Sequence, residues 1–261
     1  MSAYPAVRRQ LPAESLTAGR YALRFAQSAD ELEAIFRLRY RVFNLELNEG
    51  LDASHETGLD IDDFDPFCHH MYVIDERSGD CVGTYRLQSF HMARKGIGFY
   101  SATEFDFSTI PASILRNSIE AGRACIDASH RKIEVLHLLW QGLGNYLSHN
   151  KKSYLFGCCS LTSQNDIEGL AVLKYLQDHD HMLQAWEVQP RPGFACTGYP
   201  ADVIADVSIN IPRLMVAYLS QGAKICGPPA IDRSFKTIDY LAFFDVKNMS
   251  ESAVAFFNIR G

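Results

Sequence analysis

The chain has 261 residues, of which 47% are hydrophobic and 21% charged, and its formal net charge is −6. This balance is that of an ordinary globular protein with one sizeable core, and the length leaves no room for two independent enzymes. The negative net charge argues against broad binding to nucleic acid, because such binding needs a basic field over the domain.

Seven cysteines without a C-x-x-C pair predict reduced thiols rather than disulfides or a structural zinc site. The N-terminus lacks the apolar run of a signal peptide, and no stretch approaches the roughly 18 apolar residues of a membrane span. We therefore expect a cytoplasmic protein. Peripheral contact with the inner membrane stays open, although no basic amphipathic helix is evident.

The first half of the chain predicts a flexible polar arm at 1–19, followed by a strand and a helix. The strand is predicted at 21–26, and Ser28 with Glu31 forms a capping-box pattern for the helix. The acidic stretch 48–66 predicts a loop long enough to cover a site. A hairpin with strands at 71–75 and 81–90 comes next, and residues 93–117 give a weak signal.

The second half alternates strands and helices. Strands are predicted at 118–126 and 154–161, helices at 133–147 and after Asn165, a flap at 184–206, a helix at 211–219, and strands at 224–231 and 237–246. This order predicts an α/β fold with a mixed, mostly antiparallel sheet flanked by helices. The folded domain is predicted at 20–247, with a C-terminal extension from about residue 185 and a tail at 248–261.

The first half also carries a dispersed set of charged and aromatic residues: Arg39, Phe43, Asp60, Asp62, Asp65, Arg86, Glu120 and Arg123. Arg86 alternates with apolar neighbours on a predicted strand, and a guanidinium on the buried side of a strand needs a carboxylate partner. Such a set fits either a structural ion-pair network or a catalytic site. Spacing alone leaves both interpretations open.

Several of these residues form recognisable patterns. Arg39-x-x-x-Phe43, Asp60-x-Asp62-x-x-Asp65, Gly83-Thr-Tyr-Arg-Leu87 and Glu120-x-x-Arg123 follow one another in the chain. This arrangement resembles the acyl-homoserine-lactone synthases, which are GNAT-like proteins that use acyl carrier protein. Their fold covers about the first 180 residues here, so the remainder is predicted to be an extension that helps to enclose the acyl chain or the acceptor.

A second resemblance extends from about residue 21 to residue 247. Glu120-Ala-Gly-Arg-Ala-Cys125 and the segment 217–239 are similar to the ornithine-lipid N-acyltransferases and the related hemolysin-like proteins. The resemblance implies a GNAT-like acyltransferase of lipid biosynthesis. It further implies an amino-acid acceptor such as ornithine, and a plain or 3-hydroxy long-chain acyl group on acyl carrier protein.

Roles for the candidate residues follow from the attack of an amine on a thioester, which requires a base and donors for the oxyanion. Glu120 is the candidate base, with Arg86 and Arg123 as the other catalytic candidates; its alternative role is to pair with one of these arginines. The candidate acceptor-binding residues are Arg39, Phe43, Asp60, Asp62 and Asp65, with Asp60 or Asp62 holding a cationic end of the acceptor. In a GNAT-like fold, Ala124, Cys125 and Ile126 lie beside the pantetheine arm.

The segment Arg131–Leu136 indicates which kind of acyl donor the protein uses. GNAT enzymes that use CoA carry Gln/Arg-x-x-Gly-x-Gly/Ala there, a loop whose backbone amides hold the pyrophosphate. Bulky residues occupy both glycine positions here, which favours the single phosphodiester of acyl-phosphopantetheine as co-substrate, with no permanently bound cofactor. His130, Arg131 and Lys132 are the candidates to neutralise that phosphate or to meet the acidic carrier; alternatively they form a solvated loop.

Other pairs of cysteine or histidine residues give weaker evidence for a functional site. Cys158 and Cys159 are adjacent, so on a strand they face opposite sides and suit core packing. The pairs at 69–70 and 179–181 are histidines without a further ligand set, and we predict no metal. Two alternatives remain: an acyl-homoserine-lactone synthase that uses S-adenosylmethionine, and a non-catalytic acyl-carrier or lipid-binding protein of the same fold.

Overall fold

The computed structural model of the protein describes residues 10–198, 204 and 207–259. Within these residues, nine strands form one sheet in the order β1-β2-β3-β4-β6-β7-β11-β10, with β9 also paired to β11. The strands are β1 (Leu16–Ala18), β2 (Tyr21–Phe25), β3 (His69–Asp75), β4 (Asp80–Ser89), β6 (Ser118–Ile126), β7 (Tyr154–Leu161), β9 (Lys224–Ile225), β10 (Ala230–Asp232) and β11 (Thr237–Asp245). Neighbours are antiparallel except β6 and β7, which are parallel. A separate ribbon pairs β5 (Phe105–Asp106) with β8 (Gln189–Pro190).

Helices cover both faces of this sheet. They are α1 (Ala29–Tyr40), α2 (Ser54–Thr57), α3 (Phe90–Lys95), α4 (Ala112–Arg116), α5 (Ile133–His149), α6 (Asp166–Asp178), α7 (Arg213–Ser220) and α8 (Glu251–Phe256). The predicted capping box of Ser28 and Glu31 starts α1, which continues as a π-helix over Arg41–Glu46. Apolar side chains of α5 pack on one face and those of α1 on the other. The predicted α/β architecture, a mixed and mostly antiparallel sheet flanked by helices, is confirmed.

The predicted strands at 118–126 and 154–161 have the bounds of β6 and β7. Leu16–Ala18, inside the predicted flexible arm, instead form β1 and pair with β2. Residues 1–9 of that arm and part of the predicted flap at 184–206 lie outside the described residues. The single strand predicted at 224–231 is two short strands, because Pro228 and Pro229 between them have no N–H to donate.

The C-terminal part belongs to the sheet rather than extending it from outside. Strand β11 pairs antiparallel with β7 from Ile238 opposite Leu161 to Asp245 opposite Tyr154. In the predicted tail, Phe257 is buried and its ring stacks on Trp140 of α5 at 5.0 Å. Both segments therefore contribute to the core, including the part of the chain predicted as a tail.

A gap opens in the sheet between β6 and β7. The two strands pair only over Ser118–Glu120 and Tyr154–Phe156 and then diverge. On its other side β6 contains a bulge, where Arg123 has a φ of 49° and the register with β4 shifts. A bulge of this kind bends a strand, so β6 curves away from β7. We call the opening beyond Glu120 and Phe156 the gap.

Gly157 lies where the strands begin to diverge, and its missing side chain permits their close approach. A Cβ at this position would lie 2.0 Å from the carbonyl oxygen of Ala121. We expect Gly157→Ala to lower the free energy of unfolding by about 1–3 kcal/mol, as overpacking does in rigid cores. Gly122→Ala is the matched control, because a Cβ there meets nothing within 4 Å. Urea titrations that give equal midpoints for both variants would contradict this account.

Candidate active site

Three arginines and three aspartates alternate in a closed ring on the α1 side of the sheet. The order is Arg39, Asp65, Arg86, Asp62, Arg123, Asp60 and back to Arg39, with closest N–O distances of 2.5 to 3.5 Å. We call these six residues the Arg/Asp ring. Their side chains are at most 10% exposed. The ring joins four parts of the chain, which are helix α1, the loop that precedes β3, strand β4 and strand β6.

Opposite charges balance within the Arg/Asp ring. Burial by itself would raise the pKa of Asp65, but Arg39 and Arg86 outweigh burial and hold that pKa far below its ordinary value. Burial likewise opposes the charge of Arg86, whereas Asp62 and Asp65 raise its pKa. Because each described carboxylate of the ring lies between two guanidiniums, the three negative and three positive charges cancel, although Oδ1 of Asp60 has no hydrogen-bond partner among the described residues. The geometry argues against the roles first assigned to Asp60 and Asp62.

Aromatic rings enclose Arg123 at the edge of the Arg/Asp ring. Its guanidinium carbon lies 4.8 Å from the ring centroid of Tyr100 and 4.1 Å from that of Phe235. Phe43 packs edge-on against Phe235 at 5.3 Å. Such cation–π contacts hold a guanidinium in place. Phe43 therefore supports the wall around Arg123 and also faces the cavity described next.

A cavity of about 770 Å³ passes through the gap. On the α5 face its wall is mainly hydrophobic, whereas on the α1 face polar side chains stand beside the apolar Val42, Phe43, Leu47 and Phe235. The apolar set includes Tyr85, Leu139, Leu143, Leu155, Tyr218, Phe244 and Phe257, and the polar set includes Glu49, Arg86, Gln88, Ser101, Glu120, Arg123 and Asp239. Arg39, Asp60, Asp62 and Asp65 are not among the described residues that line it. One continuous space therefore connects an apolar half with a polar half.

Glu120 lies at the start of the gap and faces this cavity. Its carboxylate accepts hydrogen bonds from the backbone N–H groups of Tyr100 and Ser101, at 2.9 and 2.7 Å, and from the Ser101 hydroxyl at 2.6 Å. Among the described residues, Glu120 forms an ion pair with neither Arg86 nor Arg123, contrary to the alternative role considered for it. Burial raises the pKa of Glu120 above its ordinary value although these hydrogen bonds act to lower it.

The residues predicted to contact the donor divide between two places. Ala124, Cys125 and Ile126 line the cavity on the free edge of β6, and Arg131 and Lys132 line it at the start of α5.

The third basic candidate lies elsewhere. The imidazole Nδ1 of His130 is 3.1 Å from the Tyr21 hydroxyl, and His130 does not line the described part of the cavity. Arg131 is itself paired with Glu46 at 2.5 Å. Of these three basic candidates, Lys132 is the one that lines the described part of the cavity without an ion pair among the described residues.

A second group of carboxylates was not predicted from the sequence. Glu49 and Asp239 line the cavity, and Glu104 lies beside Asp239 and Cys158, with one oxygen or sulfur atom from each of these last three residues within 4.8 Å of the others. We call Glu49, Glu104 and Asp239 the acidic cluster. Burial raises the pKa of Glu49 to about 7 and that of Asp239 to about 6, and it raises the pKa of Glu104 well above its ordinary value.

One sequence signal for the acidic cluster existed. Asp239 is a charged residue within the otherwise apolar run Ile238–Phe244, where each position of a central strand is buried. Glu49 and Glu104 lie outside regular strands, in segments without periodicity, and the sequence offers no comparable signal for them. All seven cysteines are free thiols, as predicted.

The sequence and the structure were compared with those of known proteins. Residues 38–141 match the family model of the acetyltransferase (GNAT) domain. The chain is 31% identical over 253 residues to the L-ornithine N(alpha)-acyltransferase of Rhodobacter capsulatus, covering 92% of this chain and 95% of that protein. The chain belongs to this acyltransferase family. The Rhizobium meliloti protein of the same name is 31% identical over 243 residues, covering 87% of this chain and 80% of its own.

Among solved structures, the acyl-homoserine-lactone synthase LasI superposes with a TM-score of 0.53 over 94% of this chain and 98% of its own. At 13% identity this similarity concerns the fold alone. Family membership makes the protein an acyltransferase, which excludes the non-catalytic alternative. Among the described residues, no helix combines the length and apolar character needed to cross a membrane.

Proposed function

We propose that this acyltransferase moves a long-chain acyl group, plain or 3-hydroxylated, from the phosphopantetheine thioester of acyl carrier protein to the α-amine of ornithine in ornithine-lipid synthesis. The observation that carries the proposal is the cavity through the gap, which is mainly hydrophobic on one face of the sheet and has three carboxylates, those of Glu49, Glu120 and Asp239, on the other. A fatty acyl thioester and a cationic amine are a substrate pair with this same division of polarity.

The acyl chain is assigned to the α5 face. Leu139, Leu143 and Leu155 line the cavity there together with Phe244 and Phe257. Each methylene that such a surface removes from water contributes about 0.8 kcal/mol to binding. A long chain therefore has enough apolar wall on this side to be held without any polar contact.

The thioester is assigned to the gap itself. Beyond Glu120 the edge of β6 no longer pairs with β7, so this edge lies open to the cavity. Backbone N–H groups on an open strand edge are suited to stabilise the oxyanion that forms when the carbonyl is attacked. Ala124 and Cys125 are the residues of this edge that we assign to the pantetheine arm.

The acceptor is assigned to the α1 face, with Glu120 as general base. The α-ammonium must lose a proton before its nitrogen can attack the thioester carbon. Glu120 takes this first proton, and the free amine then attacks the thioester carbon to form the N–C bond. As the C–S bond breaks, phosphopantetheine leaves as the thiolate and takes up the second proton, which the nitrogen of the tetrahedral intermediate releases. A pKa raised by burial makes Glu120 a stronger base than an exposed glutamate.

The carrier protein is assigned to the start of α5. Lys132 is exposed and lines the cavity, and the bulky side chains at 131–136 leave no glycine-rich cradle for a pyrophosphate. We expect Lys132→Glu to raise the KM for acyl carrier protein about 10-fold, with kcat unchanged, because a charge near an acidic partner governs its docking. Lys151→Glu, an exposed lysine beyond the other end of α5, is the control. Equal KM values for the two variants would place the carrier elsewhere.

A panel experiment tests the proposed function. The protein is incubated with acyl carrier protein or CoA carrying the same acyl group and with free amino acids, and products are identified by mass spectrometry. We expect Nα-acylornithine from the carrier-bound donor. Transfer from CoA but not from the carrier would contradict the assigned donor. Release of methylthioadenosine from S-adenosylmethionine together with acyl transfer would contradict the assigned acceptor.

A further inference from the structure

We propose that the acidic cluster of Glu49, Glu104 and Asp239 binds the side-chain ammonium of the acceptor and thereby makes the enzyme selective for a basic amino acid. This inference rests on the proposed function and assigns the part of the acceptor that the reaction itself does not use. The α-amine reacts beside Glu120, whereas the far end of the acceptor needs a separate site.

The first support is that the cluster has unused hydrogen-bonding capacity. Asp239 and Glu104 are 2% and 1% exposed, and Oδ1 of Asp239 and Oε1 of Glu104 have no hydrogen-bond partner in the described part of the chain. Buried carboxylate oxygens are ordinarily hydrogen-bonded or ion-paired. An ammonium group supplies both the missing donors and the missing positive charge.

The second support is the contrast with the Arg/Asp ring. There each aspartate lies between two arginines, whereas no lysine or arginine of the described residues forms an ion pair with Glu49, Glu104 or Asp239. Burial raises the pKa of all three, and a neighbouring acid adds to this effect in each case. A bound cation would relieve this repulsion and stabilise the charged carboxylates.

The third support is position. Glu49 and Asp239 line the same cavity as Glu120. Ser101 links the two sites: its hydroxyl donates to Glu120 at 2.6 Å and accepts from the Cys158 thiol at 3.4 Å, and Cys158 lies within 4.8 Å of the Asp239 and Glu104 oxygens. The base and the cluster are thus near enough for one acceptor whose two amines are joined by a short alkyl chain.

The remaining neighbours orient the cluster without supplying a positive charge. Glu104 and Asp239 share a side-chain hydrogen bond, and Ser160 forms a hydrogen bond with Asp239. Thr162 donates to Glu49, which orients that carboxylate without neutralising it. Asp232, also nearby, is already satisfied by the Tyr100 hydroxyl at 2.8 Å and by the backbone N–H groups of Ser234 and Phe235. The site that remains open to an ammonium is therefore formed by the three residues of the acidic cluster.

The test compares ornithine with norleucine, which carries a methyl group in place of the side-chain ammonium. The ratio of their kcat/KM values is measured for the wild-type protein, for Asp239→Asn and for Glu49→Gln. We expect the wild type to prefer ornithine, and each variant to lose at least about 10-fold of that preference, as loss of a charged hydrogen bond does. Asp178→Asn, which removes an exposed carboxylate from α6, is the charge-matched control and should keep the ratio.

The outcomes separate this inference from the proposed function. Equal use of ornithine and norleucine by the wild type, or an unchanged ratio in both variants, would overturn the ammonium site while leaving acyl transfer intact. A stoichiometric divalent metal held by the cluster in the purified protein would overturn it as well. If the wild type acylates no amine, the proposed function is wrong. Calorimetric titration with ornithine and with norleucine then tests the ammonium site directly, and equal affinities would overturn it.

Discussion

Replacing Arg39 by Met is expected to lower the free energy of unfolding by about 3–5 kcal/mol, the usual cost of removing one partner from a buried ion pair. Arg39 is fully buried, with Nε 2.7 Å from Asp60 and Nη1 2.8 Å from Asp65. Its loss leaves Asp60 with only the longer 3.5 Å contact to Arg123. Chemical unfolding at neutral pH measures the difference.

The same helix provides the control. Arg37 is exposed and pairs with Glu33 one turn away, so Arg37→Met is expected to change stability by no more than about 0.5 kcal/mol. If both variants unfold at the same denaturant concentration, the Arg/Asp ring does not hold the fold together. Arg39→Lys is expected to restore only part of the stability, because a lysine cannot bridge two carboxylates as a planar guanidinium does.

The pH dependence of this effect has a definite sign. Asp62 and Asp65 have pKa values below the ordinary value of 3.8, so their contribution to stability is present above that pH and is lost as the pH falls below it. In Arg39→Met the pKa of Asp65 rises toward its ordinary value. The stability difference between wild type and variant should therefore shrink as the pH falls below about 4. A difference that stays constant with pH would assign the loss to packing alone.

Replacing Glu120 by Gln is expected to lower kcat about 10²- to 10⁴-fold, the usual contribution of a positioned general base. The amide retains the shape of the side chain but cannot accept the proton of the acceptor ammonium. We expect the KM for the donor to change little, because the assigned donor contacts lie on β6 and at the start of α5. Product formation at saturating ornithine, followed by mass spectrometry, gives kcat.

The Ser101→Ala variant tests whether Glu120 acts as a base or only anchors the loop around Ser101. The Ser101 hydroxyl stabilises the charged form of Glu120, so its removal raises the pKa of Glu120 further. If Glu120 is the base, the acidic limb of the kcat profile moves to higher pH in this variant. An unmoved limb, together with wild-type kcat in Glu120→Gln, would leave Glu120 with a structural role alone.

Part of the candidate site was predictable because its members are chemically conspicuous. Arg86 alternates with apolar residues on a strand, and this pattern requires a buried carboxylate partner wherever the strand lies. Which aspartates serve that arginine was not predictable, since Asp60, Asp62 and Asp65 lie in an irregular loop. The loop's path past α1, β4 and β6 places each of them between two arginines.

The acidic cluster shows the opposite case. Asp239 is separated from Glu49 by 190 positions in the chain, and only the insertion of β11 beside β7 brings them to one cavity. No local pattern encodes such a pairing, because it depends on which strands become neighbours in the sheet. Glu104 and Ser101 lie in the segment 93–117, whose sequence has only weak periodicity, so no pattern predicted a role for either residue.

The sequence by itself determined the α/β architecture, the bounds of β6 and β7, the capped start of α1 and the need of Arg86 for a buried carboxylate partner. Local periodicity and capping are short-range effects, and buried charges require partners in any fold. Only the tertiary structure decided that the ring is internally neutral, that Glu120 accepts three hydrogen bonds without an arginine, and that the gap joins an apolar half to a polar half. These properties depend on contacts between distant segments, because burial and the neighbouring charges in the folded protein together set the pKa of each carboxylate.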